Sequence, residues 1–429
     1  MRRSMWTLFA PMLLVCAPAV AACSNGDDSG GGSDGGDPAE IDVNAGLTGD
    51  PIKVGSIVEA SNTPLANPDI PEGAQAAALL VNQKGGINGR PIEIVECDTE
   101  NDPNAAAECG RRMVDEGVVA LAGVLSAQDG EFMPLMEREQ IPSIGHVPAG
   151  VPGFTSPASF PLSGGIVASA PSLAQGLAEQ GATAIGLARP DLAVGAAIKG
   201  FIEPGTENED IPITSDVAVP TASPDLAPYV TAALSGGADS IIVLLSGLDA
   251  TNFIITARQE KPDILLATLS TDIQGLQNGL GSDIAGIVTT QSTTCPFETP
   301  ACDQFDQALD DAGYDPDEAS LSRISSYAGV ITLAKIAESL PEVTAPAVFA
   351  ALNEVDGLDI GIYPPIQFIE PAGELPRVFN LCAVPLQYDA EADTEPLTDT
   401  LTDAITDEPC DWTGDAVEFG PDSRPAPEE

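Results

Sequence analysis

From Pro51 onward the chain alternates short apolar runs with helix-patterned segments, and this alternation admits few architectures besides parallel sheets covered by helices. Residues 52–58 read as a first strand. Residues 73–84, rich in Ala and Leu, read as a helix that stops at Gly85-Gly86, where left-handed dihedrals are easy. Asn88-Gly89 turns the chain into a second strand over 92–97. Asp102-Pro103 then supplies an N-cap and a pre-set first helical residue, with Ala105, Cys109 and Met113 following at spacing four. Strands over 118–124 and 141–145 flank a helix around 131–139. The Pro-, Gly- and Ser-dense stretch 152–165 reads as a crossover, beyond which strand and helix alternate again. Strands are expected at 184–188, 213–217, 240–245 and 264–269, and helices at 194–201, 226–234, 305–312, 326–340 and 345–353. The roughly 380 residues beyond the amino-terminal segments exceed what one core normally holds, so two lobes are expected. Beyond Tyr388 the sequence is nearly all Asp, Glu, Thr and Pro, and 389–429 is expected to be an acidic tail with little core of its own.

At the amino terminus Arg2 and Arg3 precede an apolar stretch over 5–20, broken by Pro11 and Pro18 and shorter than the roughly 20 residues that span a bilayer. Residues 1–22 therefore read as a removable signal peptide. Val20-Ala21-Ala22-Cys23 resembles a bacterial lipobox, which implies that Cys23 becomes the acylated first residue; an ordinary signal with a chance cysteine is the alternative. Residues 23–50, opening on a Gly-, Ser- and Asp-rich run, read as a flexible tether. Two acyl chains give stable attachment to a lipid bilayer.

The chain has 16 Lys and Arg against 65 Asp and Glu, a net charge of −49 that becomes −51 once Arg2 and Arg3 leave. Such a surface repels phosphate and carries no basic stripe, which excludes nucleic acid as a partner. The acidity fits either a saline exterior or the solubility of an exported protein. With Cys16 and Cys23 set aside, Cys97, Cys109, Cys295, Cys302, Cys382 and Cys410 are left, an even number that predicts three disulfides in an exported chain. Fifteen connectivities are open, and pairing between sequence neighbours is the expectation. No metal or cofactor site is expected, because no CxxC pair is present and His146 is the only histidine.

One block is more specific. Ile52-Lys53-Val54-Gly55, then Val81-Asn82-Gln83-Lys84-Gly85-Gly86-Ile87-Asn88-Gly89-Arg90-Pro91-Ile92, then Cys97-Asp98-Thr99-Glu100-Asn101-Asp102-Pro103 resemble the opening of branched-chain amino-acid-type solute-binding proteins. Tyr327-Ala328-Gly329-Val330 fits as well, and a weaker likeness extends over residues 51 to about 385. The resemblance implies an α/β type I periplasmic-binding fold: two doubly wound parallel-sheet lobes, three crossovers and a ligand cleft between. Lobe 1 would hold 51–158 with 292–365, and lobe 2 159–291 with 366–388. It implies a monomeric receptor of an ABC importer that captures a small polar solute by lobe closure and passes it to a membrane permease, or a sensor of the same fold.

In that family a Ser or Thr loop after the third strand holds the ligand carboxylate with backbone amides. The matching stretch contains Ser126, Ala127 and Gln128, although the usual Ser-x-x-Thr pattern is absent; a plain helix cap is the alternative for Ser126. The next contact matches His146 and Val147, with His146 either facing the cleft or structural. For the acidic partner of a ligand ammonium in lobe 2, Asp272 is the nearest match and Asp249 the second, each otherwise a helix N-cap. The aromatic contact usual near Leu192 is missing. Catalysis has little support: no GxSxG elbow occurs and any Ser-His-Asp arrangement would have to use His146. Leu162-Ser163-Gly164-Gly165 stands without a phosphate-binding loop, and Asp310, Asp311, Asp315 and Asp317 miss the EF-hand spacing.

Overall fold

The computed structural model describes residues 43–61, 68–269, 273–316 and 321–419; the signal peptide, Cys23 and Asp272 lie outside them. The first lobe is built from β1 (Ile52–Val58), α1 (Ile70–Gln83), β2 (Ile92–Asp98), α2 (Pro103–Glu116), β3 (Ala120–Ala122), α3 (Met133–Glu139), β4 (Ser143–Ile144), α4 (Val151–Thr155) and β5 (Ser159–Phe160). Its five strands are all parallel, in the order β2-β1-β3-β4-β5. The chain then enters α5 (Ile166–Glu179), β6 (Ile185–Pro190), α6 (Ala193–Asn208), β7 (Ile213–Val219), α7 (Ala227–Ala233), β8 (Ser240–Val243), α8 (Gly247–Glu260), β9 (Leu265–Thr268), α9 (Ile273–Leu280) and β10 (Val288–Gln291). These parallel strands run β7-β6-β8-β9-β10, which repeats the order of the first sheet.

The chain returns to the first lobe with α10 (Pro300–Asp311), α11 (Leu321–Ala337), α12 (Ala345–Leu352) and the small pair β11 (Asp356–Leu358) and β12 (Ile366–Gln367). It then crosses to the second sheet, where β13 (Cys382–Tyr388) pairs antiparallel with β10, followed by β14 (Thr394–Pro396) and β15 (Thr402–Asp403).

The local chemistry works as the residue types dictate. Asp102 accepts from the amides of Asn104 and Ala105 and caps α2, and Gly117, at φ 72°, closes it. In α1 the Ala74-to-Val81 segment is almost wholly buried, because small side chains let the helix fit between the sheet and α11. The four residues of β8 are all buried, as expected for a central parallel strand covered on both faces.

Two expected boundaries are corrected. Ser159 and Phe160 pair with Ser143 and Ile144, so they close the first sheet and do not open the second lobe. Ile366, Phe368 and Phe379 belong to the first lobe's core, so the third crossover runs between Phe379 and Cys382. The carboxyl-terminal segment is also more than a solvated tail. Its β14 and β15 extend the second sheet, Leu401 is fully buried, and Trp412 stacks on Phe297 at 5.1 Å. Further on, Val417 exchanges two hydrogen bonds with the Gln304 side chain of α10 and packs on the first lobe's core. Its acidic side chains face water while sparse apolar ones anchor it to both lobes.

The structure contains the disulfides Cys97–Cys109, Cys295–Cys302 and Cys382–Cys410. The first ties β2 to α2, and the other two sit where the chain crosses between lobes. No helix among the described residues is long and apolar enough to cross a membrane.

Candidate functional site

In open parallel α/β sheets, ligands bind at the carboxyl ends of the strands, where loops leave the sheet and backbone amides are unpaired. In the first lobe these loops follow β1, β2, β3 and β4. The β1–β3 ladder pairs Val54 with Ala120 and Gly55 with Leu121, then resumes at Val58 with Leu125, so β3 carries one residue more. Gly123, at φ 67°, takes up that extra residue; a Cβ there would run into Ser326 and Ile70. The shift places Ser126 directly beside Glu59.

Glu59 is the residue that the sequence reading missed. Its Oε1 accepts from the Ser126 hydroxyl at 3.0 Å and from the Ala127 amide at 2.6 Å. Glu59 is 6% exposed and Ser126 fully buried. The Ser126 oxygen in turn accepts from the Gln128 amide at 3.0 Å, and the Gln128 side chain donates to Asn101 in the loop after β2. In this structure a carboxylate of the chain itself sits on both of the donors, Ser126 and Ala127, that were expected to meet a ligand carboxylate. The available signal was position, since Glu59 directly follows the first strand at the same edge of the sheet.

Asp98, at the end of β2, holds the same edge. It accepts from the Ala60 amide at 3.0 Å and the Ser61 hydroxyl at 2.6 Å. Burial pushes its pKa up, but hydrogen bonds from Ser61, Glu100 and Ala60 outweigh that and hold it below the ordinary 3.8.

His146 does not face the cleft. Its side chain is fully buried, with Nδ1 3.0 Å from the Ser143 hydroxyl and Nε2 3.7 Å from Asp129 Oδ2. Asp129 also accepts from the Gly153 amide at 3.1 Å. This Ser143, His146 and Asp129 constellation has the residue types of a nucleophile, base and orienter, but all three are buried, and Ser143 lies inside the sheet between β3 and β5. A substrate has no route to the hydroxyl, so the group ties α4 to the sheet. Val147, half-buried, bonds through its amide to the Val124 carbonyl and holds the loops after β3 and β4 together.

In the second lobe Asp249 stands in the first turn of α8, just past the end of β8, and accepts from the Ala222 amide at 2.9 Å. It links the loops after β7 and β8 and stays partly exposed. Asp272, the other candidate, lies outside the described residues. Three large apolar side chains remain exposed at these strand ends: Val151 after β4, Leu192 after β6 and Leu248 after β8, at 73%, 53% and 78%. Among the described residues no cluster of three or more His, Cys, Asp or Glu side chains assembles that would hold a metal.

The family model described as periplasmic binding protein matches residues 51–385. No curated protein matches the chain. Among solved structures, a substrate-binding periplasmic protein from Ralstonia solanacearum is similar at TM-score 0.67 and 21% identity, over 80% of this chain and 99% of that one. An ABC transporter solute-binding protein from R. palustris, in complex with 4-hydroxybenzoate, is similar at TM-score 0.65 and 18% identity, over 81% and 95%. A branched-chain amino acid transporter substrate-binding protein from Streptococcus pneumoniae, in complex with isoleucine, is similar at TM-score 0.66 and 17% identity, over 81% and 99%. With its two doubly wound lobes and their shared strand order, this chain has the type I fold and belongs to the periplasmic binding protein family.

Proposed function

We propose that the chain is the extracytoplasmic solute receptor of an ABC importer: a monomer that captures one small polar solute by lobe closure and passes it unaltered to a membrane permease. The observation that carries this reading is the family match over residues 51–385, which spans both lobes. Closure is a hinge motion at the three crossovers, driven by ligand contacts made to both lobes. The first lobe contributes the loops holding Glu59, Ser126, Ala127, Gln128 and Val147. The second contributes Asp249 and Asp272, with the exposed Leu192 and Leu248 as an aliphatic wall.

Attachment to the membrane belongs to the same proposal. Signal removal before Cys23 and acylation of that residue keep the acidic receptor near its permease through a flexible tether, despite repulsion from an anionic bilayer surface. Cys23→Ser in the expressing cell then moves the protein from the membrane fraction into the soluble fraction, and a protein that stays with the membrane contradicts anchoring at Cys23.

A thermal-melting screen against amino acids, amides, ureas, sugars and small acids tests receptor function. At least one compound raises the melting temperature with saturable dose dependence. No shift from any of them contradicts the reading.

A further inference from the structure

The polar edge of the first lobe has an unusual charge balance. Glu59 Oε1 has two donors, while Oε2 accepts from no donor and meets no cation among the described residues. A carboxylate oxygen left without a donor at a strand end is free to accept a further hydrogen bond or to meet a cation. Asp98 adds a second ionised carboxylate at the same edge.

The cations lie elsewhere. Each helix runs back from the carboxyl end of its strand, so cations in its last turns, such as Lys84, Arg138 and Arg258, sit at the opposite end of the sheet. Arg189, at the end of β6, is committed to Asp216 through bonds of 2.6 and 3.2 Å. Arg323, beside the start of α1, is committed to Glu72 and Asp69. Arg377 has no acidic partner among the described residues, but it is 8% exposed, sandwiched between the Phe160 and Phe379 rings at 4.4 and 4.7 Å. Its Nε donates to the Ser159 carbonyl, and Ser159 is level in the sheet with Ser143, Leu121 and Gly55. That is four residues, about 13 Å of strand, short of Glu59.

We propose that this edge is a cation seat: Glu59, positioned by Ser126 and Ala127, receives an ammonium or amidinium group of the ligand, and the cleft offers no fixed charge to a free ligand carboxylate. The proposal rests on the receptor reading and specifies its ligand class. Isoleucine and 4-hydroxybenzoate, named with the similar structures, both carry a carboxylate; the self-occupied donors here separate this chain from ligands anchored that way. Capture stabilises most where the ligand supplies the positive charge that Glu59 lacks and an aliphatic body meets Leu192 and Leu248.

The test uses matched compounds of opposite charge on the unmodified protein: leucinamide against N-acetylleucine, 3-methylbutylamine against 3-methylbutyrate, and putrescine against succinate. In at least one pair the cationic member raises the melting temperature and binds by calorimetry while the anionic member does not. Glu59→Gln keeps an oxygen for both donors and removes the charge; it weakens the cationic probe tenfold or more, about 1.4 kcal/mol. Ser126→Ala keeps the charge and weakens the same probe less than Glu59→Gln does. Tighter binding of an anionic member, or equal affinity of wild type and Glu59→Gln for the cationic probe, overturns the proposal. Silence from every cationic probe overturns it too. If another class of solute still shifts melting, the receptor function stands without the cation seat; if nothing in the broader screen does, both fall.

Discussion

The hydroxyl of Ser126 donates to Glu59 across the ends of two neighbouring parallel strands, at 3.0 Å and almost out of solvent. The contact exists because β3 gains one residue at Gly123 relative to β1. It converts a donor-rich strand end, suited to an anion, into an acidic surface.

Ser126→Ala removes one of the two donors to Glu59 Oε1 and leaves a partly satisfied buried carboxylate. The expected loss of stability is about 1–3 kcal/mol, read from urea denaturation midpoints. A midpoint equal to wild type contradicts the assignment of this hydrogen bond as structural.

The local patterns that disclosed most of the fold were short-range. The cap at Asp102, the stop at Gly85-Gly86 and the apolar strand runs each depend on neighbours within a few residues, and all read correctly. Disulfide pairing between sequence neighbours also agrees with the structure. What escaped depends on contacts distant in sequence. Ser159 belongs to the first sheet only because Ser143 is beside it, and the segment after Tyr388 is ordered only because Phe297, Gln304 and Val384 receive its few apolar and polar anchors. Glu59 escaped for a related reason: its local sequence does not tell that Ser126, 67 residues away, is brought beside it.

His146 is a packing residue, tied to Ser143 and adjacent to Asp129 inside the first lobe. His146→Ala lowers stability by about 2–3 kcal/mol through the space it leaves. Solute affinity of the folded fraction stays within about twofold, as measured by calorimetry well below the melting transition. A large loss of affinity with unchanged stability contradicts the buried, structural role.

Glu209, at the end of α6, gives the second lobe a distinctive pH response. Burial, with the negative charges of Asp407 and Glu179 beside it, pushes its carboxyl from an ordinary 4.5 up to about 7. A folded-state pKa above the unfolded one means that the folded protein binds more protons between pH 4.5 and 7. This group's contribution to stability is thus present at acid pH and is lost as pH rises through that window. Urea midpoints of wild type and Glu209→Gln, compared from pH 4.5 to 8, isolate it: the variant gains on wild type as pH rises and the difference levels off above about pH 7. A constant difference contradicts the raised pKa.

The Cys382–Cys410 bridge fastens the carboxyl-terminal segment to β13 across 28 residues. In the chain-entropy description such a loop contributes about 3–4 kcal/mol. Replacing both cysteines with serine lowers urea stability by that order and exposes residues 394–412 to proteolysis. Unchanged stability and protease resistance contradict the role assigned to the segment.

The central claim, capture by closure of two lobes, is tested most directly by small-angle X-ray scattering on the lipid-free mature protein, with and without a saturating solute from the melting screen. The account predicts a smaller radius of gyration in the bound state, returning to the free value when the solute is dialysed away. Saturated binding, verified by calorimetry, with an unchanged radius of gyration contradicts it.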